Sequence, residues 1–445
     1  MAPVVDIILS MGKGYRMHYI YDAGKNLFLD FLKFPLFQKI IGITYGMQLS
    51  YILLFIFIGF FVFKKTGSGK KTLLSLFFSY IFMFIVGSMP SVIFFLFGSG
   101  VEKTDITNFI YKIVTESNIF HNTLHEGPYS VSVERFLQLG FDKMFSQIFF
   151  IISFLLILFY FYKSETIKFK NILKNIRPER VLLYLSFIII GMLLAYSKGY
   201  GKLINPFDIV TIMVLLLSWL GVWIYAVSVN DIEDINIDKI TNKERPLVKN
   251  TVSKEEVSEI SFLALTIAIV GGWSVGYYQF FFILVGLAIS YIYSVPPLKL
   301  KRVVMLSSFL IGITCFSACL SGFYLVSTEK IISIFPILSA LGVLMAFTLE
   351  INFRDMKDIE GDRANGVRTL PVIFEKNGPR VVGVCFVLSF LILPIVLSYY
   401  LLYLVAVPGA YLGYYFITKK PFKEWPIFLL HFSFLIVVII FIFNK

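Results

Sequence analysis

Residues 209–238 read IVTIMVLLLSWLGVWIYAVSVNDIEDINID, an apolar run that ends in a group of acids. About 20 apolar residues are enough to cross the hydrocarbon core of a bilayer as a helix, in which each backbone group finds its partner within the segment. The acids follow at the end of the run, where the chain returns to water. This stretch therefore predicts a membrane helix with a polar site at one end.

Apolar runs of this kind recur along the chain of 445 residues. Hydrophobic residues make up 58% of the chain and charged residues 15%, whereas a soluble domain carries roughly 25% charged residues. We therefore predict an all-α fold, a polytopic transmembrane helical bundle. The twelve predicted spans are 40–63, 73–97, 145–162, 181–197, 207–229, 256–275, 277–294, 303–325, 331–350, 379–397, 399–417 and 426–443.

The formal net charge of +12 is carried largely by short segments between the apolar runs. If the spans alternate across the bilayer, the basic segments 163–180, 299–302 and 419–423 fall on one side. Basic loops are typical of the cytoplasmic side, so we predict that these segments face the cytoplasm of a cell membrane. The N-terminus then lies outside, and it would be inverted if residues 26–40, which suit an interfacial helix, crossed the bilayer.

Two acidic clusters follow predicted spans on the cytoplasmic side. In the first, residues 230–238, three aspartates are offset by three and seven positions, so a helix would project them from one face. The second, residues 354–363, repeats the same offsets. The aspartates are Asp231, Asp234 and Asp238 in the first cluster and Asp355, Asp358 and Asp362 in the second.

Carboxylates grouped in this way repel one another and are costly near lipid unless a cation neutralises them. Hard oxygen ligands suit Mg²⁺, which bridges a few carboxylates to the phosphates of a substrate. Two facing clusters could hold two or three Mg²⁺ ions around a diphosphate. The residues alone therefore point to metal-assisted chemistry on a diphosphate at the membrane surface.

The clusters resemble the motifs of the UbiA superfamily of intramembrane prenyltransferases. Residues 230–238 match its NDxxDxxxD motif, and residues 358–362 match its second motif, DxxxD. Between them, residues 293–302 are similar to the central cytoplasmic loop of the family. The nine spans predicted after residue 178 equal the family's helix count. The resemblance covers about 265 residues and implies a nine-helix core, with about three extra N-terminal helices.

The resemblance implies Mg²⁺-dependent transfer of a prenyl group from an isoprenoid diphosphate to a hydrophobic acceptor, an aromatic ring or a lipid alcohol, within the lipid bilayer. It implies that Asp231, Asp234, Asp238, Asp358 and Asp362 bind the metal and that Asn230 orients the first cluster. Substrate-binding residues would be Arg245, Asp355, Tyr293 and Lys299 or Lys301. The tyrosine and the lysine are spaced differently here than in many relatives, so Tyr291 and Tyr293 stay open, as do Lys299 and Lys301.

The resemblance does not extend to residues 1–177. We therefore predict two parts, an N-terminal membrane extension of residues 1–177 and a prenyltransferase domain of residues 178–445. A regulatory or scaffolding role is our hypothesis for the extension.

Other classes of protein fit the sequence less well. A cation-coupled transporter is the alternative, but transporters place their sites near the middle of the membrane at broken helices. A membrane phosphotransferase of the CDP-alcohol type also uses clustered aspartates, yet its DGxxAR run is absent here. The basic residues form no stripe with base-reading or stacking side chains, so we predict no nucleic-acid partner.

Overall fold

The computed structural model of the chain is helical, and the residues that it describes contain no strand longer than an isolated bridge. The described residues are 2–12, 19–34, 38, 40, 43–99, 103–116, 133–202, 208–303, 305–329, 331–364 and 366–443. By contacts between residues, the chain divides into two compact units. The first unit comprises the described residues up to Glu116 together with residues 133–139, which begin the helix Val133–Ser164. The second unit comprises the described residues from Gly140 onward.

The first unit contains two helices that are long and apolar enough to span a membrane, Tyr45–Thr66 and Gly69–Gly87. They are joined by a tight turn in which Gly67 has a φ of 62°, the left-handed conformation that glycine adopts without strain. Its other helices are Ala2–Leu9, Gly24–Lys33, Met89–Phe97 and Lys103–Glu116.

The predicted second span, 73–97, is wrong in extent. The helix ends at Gly87, and a separate helix begins at Met89 with Pro90 in its first turn. Proline lacks the amide hydrogen that a continuing helix needs and also restricts the residue before it. The chain therefore breaks at Ser88.

The second unit is a bundle around one large apolar core. It contains the part of the helix Val133–Ser164 that follows Leu139. Its other long helices are Pro178–Ser197, Ile209–Glu233, Lys254–Val275, Tyr277–Ser294, Leu306–Val326, Ile337–Glu350, Gly378–Val396, Tyr403–Thr418 and Trp425–Phe443. Shorter helices are Thr166–Ile176, Ile235–Thr241, Ile359–Ala364 and Leu370–Ile373. The predicted boundary after residue 177 stays a prediction, and residues 140–177 belong to the same compact unit as the residues that follow them.

Among the described residues, eleven helices are long and apolar enough to cross a membrane, and Trp425–Phe441 is a shorter apolar helix. Each of the twelve predicted spans corresponds to one of them, so the all-α membrane bundle is confirmed.

Close approach of two helices fixes the centre of the second unit. Gly191 in Pro178–Ser197 faces the backbone of Cys319, and Gly322 in Leu306–Val326 faces the backbone of Ile188. Small residues allow such direct backbone contact in membrane bundles, where burial from water contributes little to helix association. Both helices also carry side chains of the site described next.

Candidate active site

One large cavity opens at the end of the bundle where both acidic clusters lie. It has a volume of about 1590 Å³, including its open mouth. All six predicted aspartates line it, together with four further predicted residues. The predicted residues that line the cavity are Asp231, Asp234, Asp238, Asp355, Asp358, Asp362, Asn230, Arg245, Tyr293 and Lys301.

The first acidic cluster lies at the end of the Ile209–Glu233 helix. This helix ends at Glu233, and the φ of −105° and ψ of 13° at the next residue, Asp234, introduce a bend before the short helix Ile235–Thr241. The amide of Asp234 still donates to the carbonyl of Asn230, and the amide of Asp238 donates to the carbonyl of Asp234, each at 2.9 Å. Because the helical turn continues through the bend, the three aspartates stay on the cavity side, and each whole residue is exposed by 8% or less.

The carboxylates of the first cluster form ion pairs with cationic side chains. Arg245 Nη1 lies 2.5 Å from Asp231 Oδ1 and also pairs with Asp238. Lys301 Nζ pairs with Asp234 and donates to Asn230 Oδ1 at 2.9 Å. The guanidinium and the ammonium therefore neutralise part of the first cluster and hold its carboxylates in place.

The second acidic cluster spans a tight helical turn, Ile351–Lys357, and the short helix Ile359–Ala364. Thr369 Oγ1 donates to Asp362 Oδ2 at 3.4 Å. Burial raises the pKa of Asp362 to about 7, and the negative charges of Asp355 and Asp358 add to this effect. Burial also raises the pKa of Asp238 to about 6, although Arg245 opposes the shift.

The sequence left open the choice between Tyr291 and Tyr293 and between Lys299 and Lys301, and the members of each pair lie in different places relative to the cavity. Tyr293 lines the cavity, whereas Tyr291 lies outside it and is half-exposed. Lys301 lines the cavity, while Lys299 is outside its wall and donates to the carbonyl of Glu233 at 3.3 Å. Lys299 Nζ is 3.7 Å from Asp234 Oδ1, so it contributes charge from behind the cluster.

Several residues of the cavity were not predicted. Arg177 and Arg180 line it, although the sequence indicated only that they belong to a basic cytoplasmic segment. Arg354 donates from Nη1 to the hydroxyl of Tyr184 at 2.7 Å, and both residues line the wall. The position of Arg354 directly before Asp355 was the one signal that could have singled it out. The others needed the tertiary structure.

The cavity continues into an apolar wall below the acids. Trp219, Val222 and Trp223 come from the helix that carries the first cluster, while Ile311 and Ala318 come from Leu306–Val326. From Asn230 to Trp219 the helix descends eleven residues, which is about 16 Å at 1.5 Å per residue. The cavity is therefore polar at its mouth and apolar in its depth.

The donor set of the cavity mouth fits a hard cation. Six carboxylates line the cavity together with five Lys or Arg side chains. Asp234 Oδ1 is a buried oxygen that accepts no hydrogen bond from the described residues. Among those residues no three His, Cys, Asp or Glu side chains converge closely enough to hold an ion, and Arg245 and Lys301 bind the carboxylates of the first cluster. A bound cation would have to take the place of these contacts.

A model of the UbiA prenyltransferase family matches residues 182–441, a segment that includes both acidic clusters and most of the cavity wall. The chain belongs to the UbiA prenyltransferase family. It is an enzyme of the membrane, and its reaction class is the transfer of a prenyl group.

The sequence identity between the chain and the following relatives is below one third over the aligned residues. Digeranylgeranylglyceryl phosphate synthase of Thermococcus kodakarensis is 27% identical over 219 residues, 49% of this chain and 74% of the relative. Chlorophyll synthase of Avena sativa is 27% identical over 235 residues, 48% of this chain and 60% of the relative. A solved UbiA homolog from Archaeoglobus fulgidus, bound to GPP and Mg²⁺, has a TM-score of 0.47 and 17% identity, covering 61% of this chain and 96% of the homolog.

Proposed function

We propose that the chain transfers a prenyl group from an isoprenoid diphosphate to a hydrophobic acceptor in a Mg²⁺-dependent reaction. The observation that carries the proposal is one cavity with six carboxylates at its mouth and an apolar wall that descends about 16 Å beneath them. Such a cavity suits a molecule with a charged head and a long apolar tail.

The residues at the mouth divide into two groups by charge. In this proposal the carboxylates of Asp231, Asp234, Asp238, Asp358 and Asp362 hold Mg²⁺, with Asn230 orienting the first cluster. When bound, the metal neutralises the diphosphate and stabilises it as a leaving group. The buried oxygen Oδ1 of Asp234, which accepts no hydrogen bond from the described residues, supports this role.

The remaining polar residues bind and orient the substrate. Arg245 and Lys301 are released from their carboxylates and donate to the diphosphate oxygens, a task for which both planar and compact cations are suited. Lys299 adds positive charge from behind the cluster, and Asp355 extends the acidic wall. As the C–O bond breaks, its electron pair leaves with the diphosphate and an allylic cation remains.

Aromatic faces near the mouth can stabilise that cation. Tyr293 lines the cavity, as do Tyr184 and Trp223, whose rings are tilted by 38° with their centroids 4.5 Å apart. The prenyl tail lies along Trp219 and Ala318, away from water. The acceptor then attacks the cation and loses a proton.

We further propose that the acceptor is an aromatic ring or a lipid alcohol. The names of the relatives, digeranylgeranylglyceryl phosphate synthase and chlorophyll synthase, support testing glycerol lipids beside phenolic compounds. The clusters fall on the same predicted side as the basic segments, which supports a site that faces the cytoplasm of a cell membrane.

The test is diphosphate release from geranylgeranyl diphosphate by the purified protein, with a panel of phenolic and glycerol-lipid acceptors. We expect release with Mg²⁺ and none with EDTA. Asp234→Ala should lower the rate at least about 100-fold, which corresponds to about 2.7 kcal/mol. Glu360→Ala is the matched control, because Glu360 belongs to the second cluster segment but is exposed and outside the cavity wall. Folded protein that releases no diphosphate under any condition would refute the proposal.

A further inference from the structure

The helix Thr166–Ile176 comes before the segment that the family model matches, which begins at residue 182. We call it the linker helix. It reads TIKFKNILKNI, and none of its eleven residues is buried. A short helix with lysines on one side and apolar residues on the other suits the surface of a bilayer. Its last turn, however, reaches the first acidic cluster.

Three contacts hold the linker helix against the bundle. Asn175 Nδ2 donates to Asp231 Oδ2 at 2.7 Å. The carbonyl of the next residue, Ile176, accepts a hydrogen bond of 2.8 Å from the indole nitrogen of Trp223. At the other end, Lys168 Nζ lies 2.6 Å from Glu256 Oε1. The position of the Asn175 amide is therefore set by contacts on both sides of it.

The Asp231 carboxylate is held at both of its oxygens. Oδ1 binds Arg245 at 2.5 Å, and Oδ2 accepts the amide hydrogen of Asn175. The side chain of Asp231 is only 4% exposed, so water does not replace these partners. A carboxylate fixed by two donors cannot rotate freely.

The two donors differ in charge. Arg245 neutralises the carboxylate and leaves it in the proposed function, whereas the neutral amide of Asn175 can stay bound while the negative charge pairs with a cation. Partners that hydrogen-bond to a metal ligand orient it, and their loss typically costs 10–100-fold in metal affinity. Asn175 has the geometry of such a partner.

We infer that Asn175 is a positioning residue that orients the Asp231 carboxylate for Mg²⁺. The inference rests on the proposed function, in which Asp231 is a metal ligand. It assigns to a segment outside the matched family region a direct part in building the site. Asn175 acts through Asp231 and touches neither substrate nor reacting atoms.

The test is calorimetric titration of Mg²⁺ into the full-length protein in detergent, without substrate. We expect Asn175→Ala to raise the Kd for Mg²⁺ about 10–100-fold. Asn175→Gln keeps the amide donor and should recover part of this loss. The control is Asn171→Ala, one turn earlier on the same helix, where the side chain is half-buried and outside the cavity wall. This control should bind Mg²⁺ like the wild type.

Turnover provides a second readout. For Asn175→Ala, the Mg²⁺ concentration at half-maximal rate should rise by the same factor as the Kd, while kcat at saturating Mg²⁺ stays within about threefold of the wild type. Wild-type protein that neither binds Mg²⁺ nor requires it for diphosphate release would overturn both the proposed function and this inference. Wild-type binding together with an unchanged Kd for Asn175→Ala would overturn this inference alone. A loss of kcat that saturating Mg²⁺ does not recover would also count against it, because it would indicate a general structural role.

Discussion

Adding one methyl group at Gly322 should force apart the two helices that hold the cavity together. A Cβ atom at this position would lie 2.8 Å from the carbonyl carbon of Ile188 and 3.1 Å from its Cα, with the carbonyl oxygen closer still. At Gly191, on the other helix of the pair, the Cβ would lie 2.7 Å from the carbonyl carbon of Cys319. In each case the obstacle is backbone, which cannot rotate away as a side chain can.

The magnitude follows from these distances. Favourable contact between carbon atoms lies at about 3.5–4.0 Å, so the helices must separate by about 1 Å to accept the methyl group. Overpacking of this kind costs about 1–3 kcal/mol, and a loss of 2 kcal/mol changes the ratio of folded to unfolded protein about 30-fold. Once Gly322→Ala has separated the helices, Gly191→Ala should cost less than it does alone, because the two positions share one crossing.

The separation should also lower activity, because the same two helices carry Tyr184 and Ala318 of the cavity wall. Thermal unfolding in detergent and diphosphate release would be measured on the same preparations. The control is Gly59→Ala, where the added Cβ would meet Leu76 Cδ1 at an ordinary 3.5 Å. Gly322→Ala protein as stable and as active as Gly59→Ala protein would refute the argument from helix contact.

Three further outcomes are expected from the geometry. His431→Leu removes the imidazole nitrogen that lies 2.8 Å from Oε1 of the buried Glu350, so the free energy of unfolding should fall by about 1–3 kcal/mol. Adding Glu350→Gln to this variant should restore part of the lost stability in a thermal unfolding assay. Lys301→Ala should raise the KM for the isoprenoid diphosphate by about tenfold or more, and by more than Lys299→Ala does, since only Lys301 lines the cavity; equal effects would contradict this assignment. Replacing Mg²⁺ with Ca²⁺ after EDTA treatment should restore little product formation, because the larger ion prefers longer bonds and more ligands, and full recovery with Ca²⁺ would argue against a Mg²⁺ site.

Much of the membrane architecture could be predicted because hydropathy is a property of single segments. The apolar run at 209–229 becomes the helix Ile209–Glu233 whatever its neighbours are, since its backbone must be satisfied within the bilayer. The same reasoning missed the break at Ser88, where a single proline outweighs the hydropathy of the surrounding residues. The aspartate offsets likewise indicated a shared direction, which the bend at Asp234 preserves.

Pairing across the bundle depended on the tertiary structure. Asn175 and Asp231 are 56 residues apart, and Arg180 and Glu424, whose charged groups lie 2.5 Å from each other, are 244 apart. Sequence spacing carries no record of such contacts, because they depend on which helix faces pack together and at what depth. The choice of Tyr293 over Tyr291 for the cavity wall was decided in the same way, by the rotation of one helix against its neighbours. By itself the sequence determined the approximate positions of the spans, the family and the acidic motifs, because these follow from local composition and spacing. The tertiary structure alone decided which cations meet which carboxylates, because that requires distant segments to be brought within hydrogen-bonding distance.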